Sequence, residues 1–166
     1  MADRAPSTKI LFAVTPDTVG ERLRHVLTGH DVISVRTGDE ALGLLHRDKF
    51  GMVIISVHFD ESQMFALVQD IRAHAKYRKV PILCVLGMRH QLLSDIAIQG
   101  LDHAIKAMTA NGFLDLQHFD DDDEGNARIR RIVDYLILID GDLQHIARVK
   151  NDSASHVPER RRAAGA

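Results

Sequence analysis

Met52-Val53-Ile54-Ile55 is an unbroken apolar run, and Ile82-Leu83-Cys84-Val85 is a second. A strand exposed on one face alternates apolar with polar residues. A strand buried on both faces does not, so these runs read as the central strands of a parallel sheet. Outward from them, similar runs occur at Ile10 to Val14 and Val32 to Val35, with a weaker one at Ala104-Ile105. Between the runs lie Asp17 to Leu27, Asp39 to Arg47, Ser62 to His74 and His90 to Gln99. Here apolar residues recur at helical spacing, as at Phe65, Val68 and Ile71. Strand–helix alternation with short connections predicts an α/β fold: a doubly wound, five-stranded parallel sheet with helices on both faces. Asp17 is placed to cap the first helix, Thr37-Gly38-Asp39 forms the turn into the second, and Gly100 is expected to end the fourth. Pro81 opens a strand, where its missing amide does no harm.

The 166 residues fit one domain with short appendages. The expected division is an N-terminal tail over 1–7, a domain over 8–149 and a disordered, Arg-rich tail over 150–166. A hydrophobic fraction of 45% is enough to bury a core, which confines expected disorder to the tails. The net charge of −2 gives no global attraction for a polyanion. Arg128, Arg130, Arg131 and the tail run Arg160-Arg161-Arg162 are local basic features, but the neighbouring run Asp120 to Glu124 opposes them, and nucleic acid is disfavoured as a partner. That acidic run reads as a solvated loop placing negative charge at the positive end of the next helix. The single cysteine, Cys84, excludes an internal disulfide and reads as a small buried hydrophobe rather than a redox sensor. Met1 to Thr8 has no apolar signal core, and no apolar stretch approaches the ~20 residues that span a bilayer. A soluble, cytoplasmic protein with no membrane contact is expected.

From about Asn126 apolar residues fall at Ile129, Ile132, Leu136, Ile139, Leu143 and Ile146, in alternating steps of three and four. The pattern suits a seam that meets a partner, or equally a last helix that buries one face on the sheet. Val133, Ile137 and Leu138 add apolar surface outside it, and Gly141 is a position where the helix could end.

Lys9-Ile10-Leu11-Phe12-Ala13, followed by His30-Asp31-Val32-Ile33-Ser34-Val35-Arg36-Thr37-Gly38-Asp39-Glu40-Ala41-Leu42, resembles the first two strands and second helix of a family: the receiver (CheY-like) domains of bacterial two-component response regulators. Phe50 to Val57 is similar to the family's third strand, Val80 to Val85 to its fourth, and Gly100-Leu101-Asp102 to the turn before its fifth, so the resemblance covers about residues 8 to 106. It implies the flavodoxin-like strand order 2-1-3-4-5, here with an atypical extended C-terminal helix.

The resemblance also implies where phosphoryl chemistry would sit. Receivers use a pair of acids after the first strand and a nucleophilic Asp at the end of the third, because Mg²⁺ needs oxygen ligands to neutralise an incoming phosphoryl group. They add a Ser or Thr ending the fourth strand and a lysine after the fifth. At those positions stand Val14 with Thr15, Ser56, Leu86 and, if one residue is deleted, Lys106. Valine ligates no metal, and a serine hydroxyl is neutral and a poor nucleophile. The site reads as degenerate: no enzyme, no catalytic residue, no metal and no cofactor. Asp17, His58 and Asp60 lie near its mouth without the fixed geometry of a metal site. A Ser56–His58 nucleophile pair would lack both an oxyanion donor and a third residue.

The leading expectation is therefore a phosphorylation-independent pseudo-receiver, a protein-interaction or dimerisation module in phosphorelay signalling. Its partners would be a second copy and a signalling kinase or regulator. The alternative is a small-ligand sensor using the crevice at the carboxyl ends of the strands, made apolar by Val14 and Leu86. Thr15-Pro16-Asp17 is no Gly-rich phosphate loop, which disfavours nucleotides in that crevice.

Overall fold

In the computed structural model the described residues are 7–15, 18–87 and 94–154, with 141–154 described as helix backbone only. The elements are β1 (Lys9–Ala13), α1 (Thr18–Val26), β2 (Asp31–Ser34), α2 (Gly38–Arg47), β3 (Met52–Ser56), α3 (Met64–Ala73), β4 (Ile82–Leu86), α4 (Asp95–Ala107), β5 (Gly112–Asp115) and α5 (Asp123–Ala154). All neighbouring strands pair in parallel, as the apolar runs predict, in the order β2-β1-β3-β4-β5 that the resemblance implies. Every residue of β3 and β4 is buried, the reason these strands carry no polar alternation.

Alternate residues of the strands feed two separate cores. Leu11, Val53, Ile55 and Cys84 pack with Ala41 and Leu45 of α2, Leu67, Val68 and Ile71 of α3, and Ile105 of α4. Ile10, Phe12, Ile54, Leu83 and Val85 pack with Leu23 and Val26 of α1 and with Ile129 and Val133 of α5. Thr37 caps α2, its hydroxyl accepting the Glu40 amide at 3.2 Å. Ser94 caps α4 in the same way through the Ala97 amide. The expected cap Asp17, and the expected helix start at His90, lie outside the described residues.

The fifth unit differs from the sequence reading. Ala104-Ile105 is not a strand: it is the last part of α4, which continues through Gly100 to Ala107. A side chain at Gly100 would meet nothing within 4 Å, so this glycine interrupts no packing and ends no helix. The stop comes at Thr109, whose φ of 63° is left-handed and whose amide bonds the Lys106 carbonyl at 3.0 Å. Glycine is the usual residue there, and a threonine in its place gives no sequence warning. The fifth strand is Gly112–Asp115, pairing Leu83 with Gly112 and Leu86 with Asp115.

α5 also differs from the expectation. Its 32 residues make about 48 Å of continuous helix, passing through Gly141 and beyond the expected boundary at residue 149. The segment before it is tied down by Arg22. The guanidinium donates to Asn126 Oδ1 at 2.9 Å, to the Phe119 carbonyl at 3.1 Å and to the Asp120 carbonyl, and pairs with Asp121 at 3.1 Å. Asp122 Oδ1 accepts the Gly125 amide at 2.8 Å, satisfying one of the helix's first unpaired donors. The acidic run thus serves the helix start, and a Cβ at Gly125 would lie 2.0 Å from the Asp120 carbonyl oxygen.

Two outcomes test this packing. Gly100→Ala is expected to raise stability in urea unfolding by about 0.5–1 kcal/mol, as for a glycine inside a helix; a loss would place Gly100 at a left-handed helix end instead. Burial pushes the Cys84 thiol up to about 12, with Arg72 pulling back more weakly. An unfolded thiol ionises near ~8.5, so the neutral buried form contributes stability that is complete below that pH and lost as pH rises toward the folded value. The urea midpoint of the native chain should fall more steeply from neutral pH to about pH 10 than that of Cys84→Ala, whereas parallel curves would refute the shifted thiol.

Candidate functional site at the carboxyl ends of the strands

The resemblance puts the expected site residues at the carboxyl ends of the strands, which is also where open parallel sheets hold ligands. β1 ends at Ala13 beside Ile55, and β3 ends at Ser56 beside Val85, which brings Val14, Thr15, Ser56 and Leu86 together. Ser56 is only 8% exposed. Its Oγ accepts the Thr15 amide at 3.2 Å and lies 3.4 Å from Thr15 Oγ1. The two hydroxyl side chains therefore satisfy each other and a backbone donor. Val14 is buried in the core shared with α1 and α5, and Leu86 is fully buried. Beyond Leu86, both methyl carbons of Val19 stand 2.9 Å from where a Cβ would sit on Gly87, so α1 closes directly over the end of β4.

Asp60 lies in the loop after β3, where Asp60, Glu61 and Ser62 have φ values of 46°, 55° and 69°. Three successive non-glycine residues in the left-handed region cost roughly 1–2 kcal/mol each. Asp60 Oδ2 accepts the Gly38 amide at 2.8 Å, so this carboxylate anchors the start of α2. His58 is exposed on the same loop. Asp17 lies outside the described residues.

Lys106 does not join the site. It sits in the last turn of α4, and its Nζ bonds Asp102 Oδ2 at 2.6 Å, one helical turn away. No lysine follows any strand among the described residues; β5 ends instead on Asp115, whose Oδ1 accepts the Gln117 amide at 3.1 Å. Nor do the residues that converge here suit magnesium. Valine and leucine have no donor atom, the paired hydroxyls are neutral, and a hard divalent cation requires carboxylate oxygens. Among the described residues, no group of three or more His, Cys, Asp or Glu is placed to hold a metal ion.

The expected seam on α5 divides. Ile129 is fully buried, and Ile132 and Leu136 pack against the same core, so this part of the heptad pattern docks the helix on its own sheet. Ile139 faces outward at 37% exposure, beside Tyr135 at 62% and Leu138 at 51%. Leu143 and Ile146 lie outside the described side chains. Between β5 and α5 runs an apolar groove of about 430 Å³, walled by Phe113, Ile132, Tyr135 and Leu136. α5 is fixed to α1 by Arg130 Nε on the Val26 carbonyl at 2.8 Å, and to the connection before β2 by Asp134 with His30 at 3.1 Å.

No protein-family model and no curated protein matches the sequence. Solved structures do. The chain is similar to the chemotaxis response regulator CheY4 of Vibrio cholerae, at 22% identity over 76% of this chain and 98% of that one, with a TM-score of 0.58. It is similar to the receiver domain of a signal transduction histidine kinase from Syntrophus aciditrophicus, at 20% identity over 79% and 90%, TM-score 0.61. A third likeness is to the receiver domain of a sensor histidine kinase from Pseudomonas aeruginosa with magnesium coordinated in its active site cleft, at 21% identity over 79% and 98%, TM-score 0.55. These likenesses establish a CheY-like receiver fold.

The hydroxyl pair carries a direct test. Ser56→Ala removes the acceptor of the Thr15 amide, and a buried donor left unpaired costs about 1–3 kcal/mol. Urea unfolding should show that loss; an unchanged midpoint would mean that water serves the amide equally well.

Proposed function

We propose that this chain is a phosphorylation-independent receiver, a pseudo-receiver that acts in bacterial two-component signalling through protein contact. The observation that carries this reading is the Ser56–Thr15 hydroxyl pair, which occupies the place where a receiver would need carboxylates and a metal. The likeness to receivers from a chemotaxis regulator and from histidine kinases supports the signalling context. The crevice-ligand alternative is weaker, because Val19 and Leu86 fill the described part of that crevice with protein.

The contact surface is the outer side of α5. Tyr135, Leu138 and Ile139 form an exposed apolar stripe one helical turn long, and the spacing of Ile139 to Leu143 and Ile146 continues it by sequence. Beside the stripe lies β5, the sheet's edge strand, with the apolar groove alongside. A second copy meeting this stripe makes a symmetric dimer that needs no switch ligand, because a self-complementary face closes on itself.

Light scattering coupled to size exclusion, with an acetyl phosphate and Mg²⁺ arm, tests both parts. The native chain should run as a dimer and Tyr135→Lys with Leu138→Lys as a folded monomer, with no phosphoryl group gained in the intact mass. A native monomer would overturn the dimer, and a phosphorylated native chain would overturn the loss of phosphoryl chemistry.

A further inference from the structure

At the opposite end of the sheet the character of the surface reverses. A cleft of about 560 Å³ opens at the amino ends of β1, β3 and β4, bounded by Thr8, Gly51, the segment Ala75 to Val80, and Ile137 and Asp140 of α5. Its volume falls in the range of small-molecule sites. Lys49, Lys76, Arg78 and Lys79 stand around it, and among the described residues that line it Asp140 is the one carboxylate. Lys49, Arg78 and Lys79 are exposed and make no hydrogen bond or ion pair among the described residues. Three unpaired cations crowded on one concavity repel one another, a cost that a bound anion would remove. That concentration occurs in a chain whose net charge is −2.

The wall that carries these cations is held rigid. Arg72 donates to the Tyr77 carbonyl at 3.2 Å and to the Val80 carbonyl at 2.7 Å, while its other nitrogens bind the Thr109 carbonyl at 2.8 and 3.1 Å and Asn111 Oδ1 at 2.9 Å. From the facing side, the Asp48 carbonyl accepts Lys76 Nζ at 2.6 Å and the Tyr77 hydroxyl. The segment between Tyr77 and Val80 is thus fixed at both ends, so its cations are presented without a loop having to order on binding. Phe50, Tyr77 and Val80 are nearly fully buried and give the cleft an apolar side.

We infer that this cleft binds a small organic phosphate, with Lys49, Arg78 and Lys79 on the phosphate oxygens and the ligand's apolar body against the Phe50–Val80 side. Charge-assisted hydrogen bonds from several cations supply the affinity, and the apolar side distinguishes an ester from free phosphate. No glycine-rich loop is involved, and the site is independent of the dimer face and of the strand-end hydroxyls.

Isothermal titration of the full chain with ADP, phenyl phosphate and inorganic pyrophosphate tests the inference, with adenosine as the uncharged control. ADP or phenyl phosphate should bind, pyrophosphate more weakly and adenosine not at all. Lys79→Ala and Lys49→Ala should each weaken binding by roughly tenfold or more, the weight of one charge-assisted contact, with the thermal midpoint of the free protein unchanged. Ser56→Ala should leave the affinity unaltered. Failure of every phosphate to bind would overturn the inference, as would affinity indifferent to both lysines. Salt-sensitive self-association abolished by the lysine variants, with no ligand heat, would overturn it in favour of an acidic segment of a second copy.

Discussion

A parallel sheet buried on both faces must be covered by helices on both faces, and most of the molecule follows from that constraint. The central strands have no polar side to offer water, so α1 and α5 are committed to one face and α2, α3 and α4 to the other. The commitment settles what α5 has left over. Ile129, Val133 and Leu136 face the sheet, which leaves the side bearing Tyr135, Leu138 and Ile139 exposed for another contact. Arg130, bound to the end of α1, and Asp134, bound to His30 before β2, sit between the two stripes and hold the helix in that rotation.

Four of the five strands were legible because burial on both faces writes itself into sequence as continuous apolar runs, and three helices because of their apolar spacing, with the turn at Thr37 marking the start of one of them. The fifth unit failed where the local chemistry is atypical. A left-handed Thr109 replaces the glycine that would have announced the end of α4, and Gly100, within the helix, invited the opposite reading. β5 is only four residues, with Gly112 at one end and Asp115 at the other, too short for an apolar run to stand out. The heptad count on α5 was correct as periodicity but silent on direction. Docking on a sheet and meeting another helix require the same spacing, and only burial separates Ile129 from Ile139.

At the candidate site, the strand-end position of Val14, Ser56 and Leu86 was legible because they end or follow apolar strands, whose register carries over from the pattern. Lys106 was not, since its assignment depended on the fifth strand. The contacts that give the site its character had no signature at all. Nothing in Thr15 says that its amide will turn to Ser56, nor in Val19 that it will close over Gly87. The two arginine clamps were equally hidden. Arg22 and Arg72 bind mainly backbone carbonyls distant in sequence, and a carbonyl has no letter in the sequence to mark it.

These clamps explain how the two ends of the sheet come to differ. At the carboxyl end, where the resemblance placed catalytic carboxylates, small hydroxyls and aliphatic side chains fill the space between β1, β3 and β4, and the acids that remain cap helices. At the amino end, Arg72 spends its hydrogen-bond donors on carbonyls of the Tyr77–Val80 turn and of Thr109, while its charge acts on Asp140. Burial lowers its pKa, but the guanidinium has no accessible neutral state and keeps its charge near that edge. Among the described residues, Lys49, Arg78 and Lys79 therefore stand unpaired around one cleft at the amino end, beside a turn held rigid by Arg72. Packing alone does not produce that distribution, because exposed cations gain nothing from being concentrated around a concavity; an anion placed among them does.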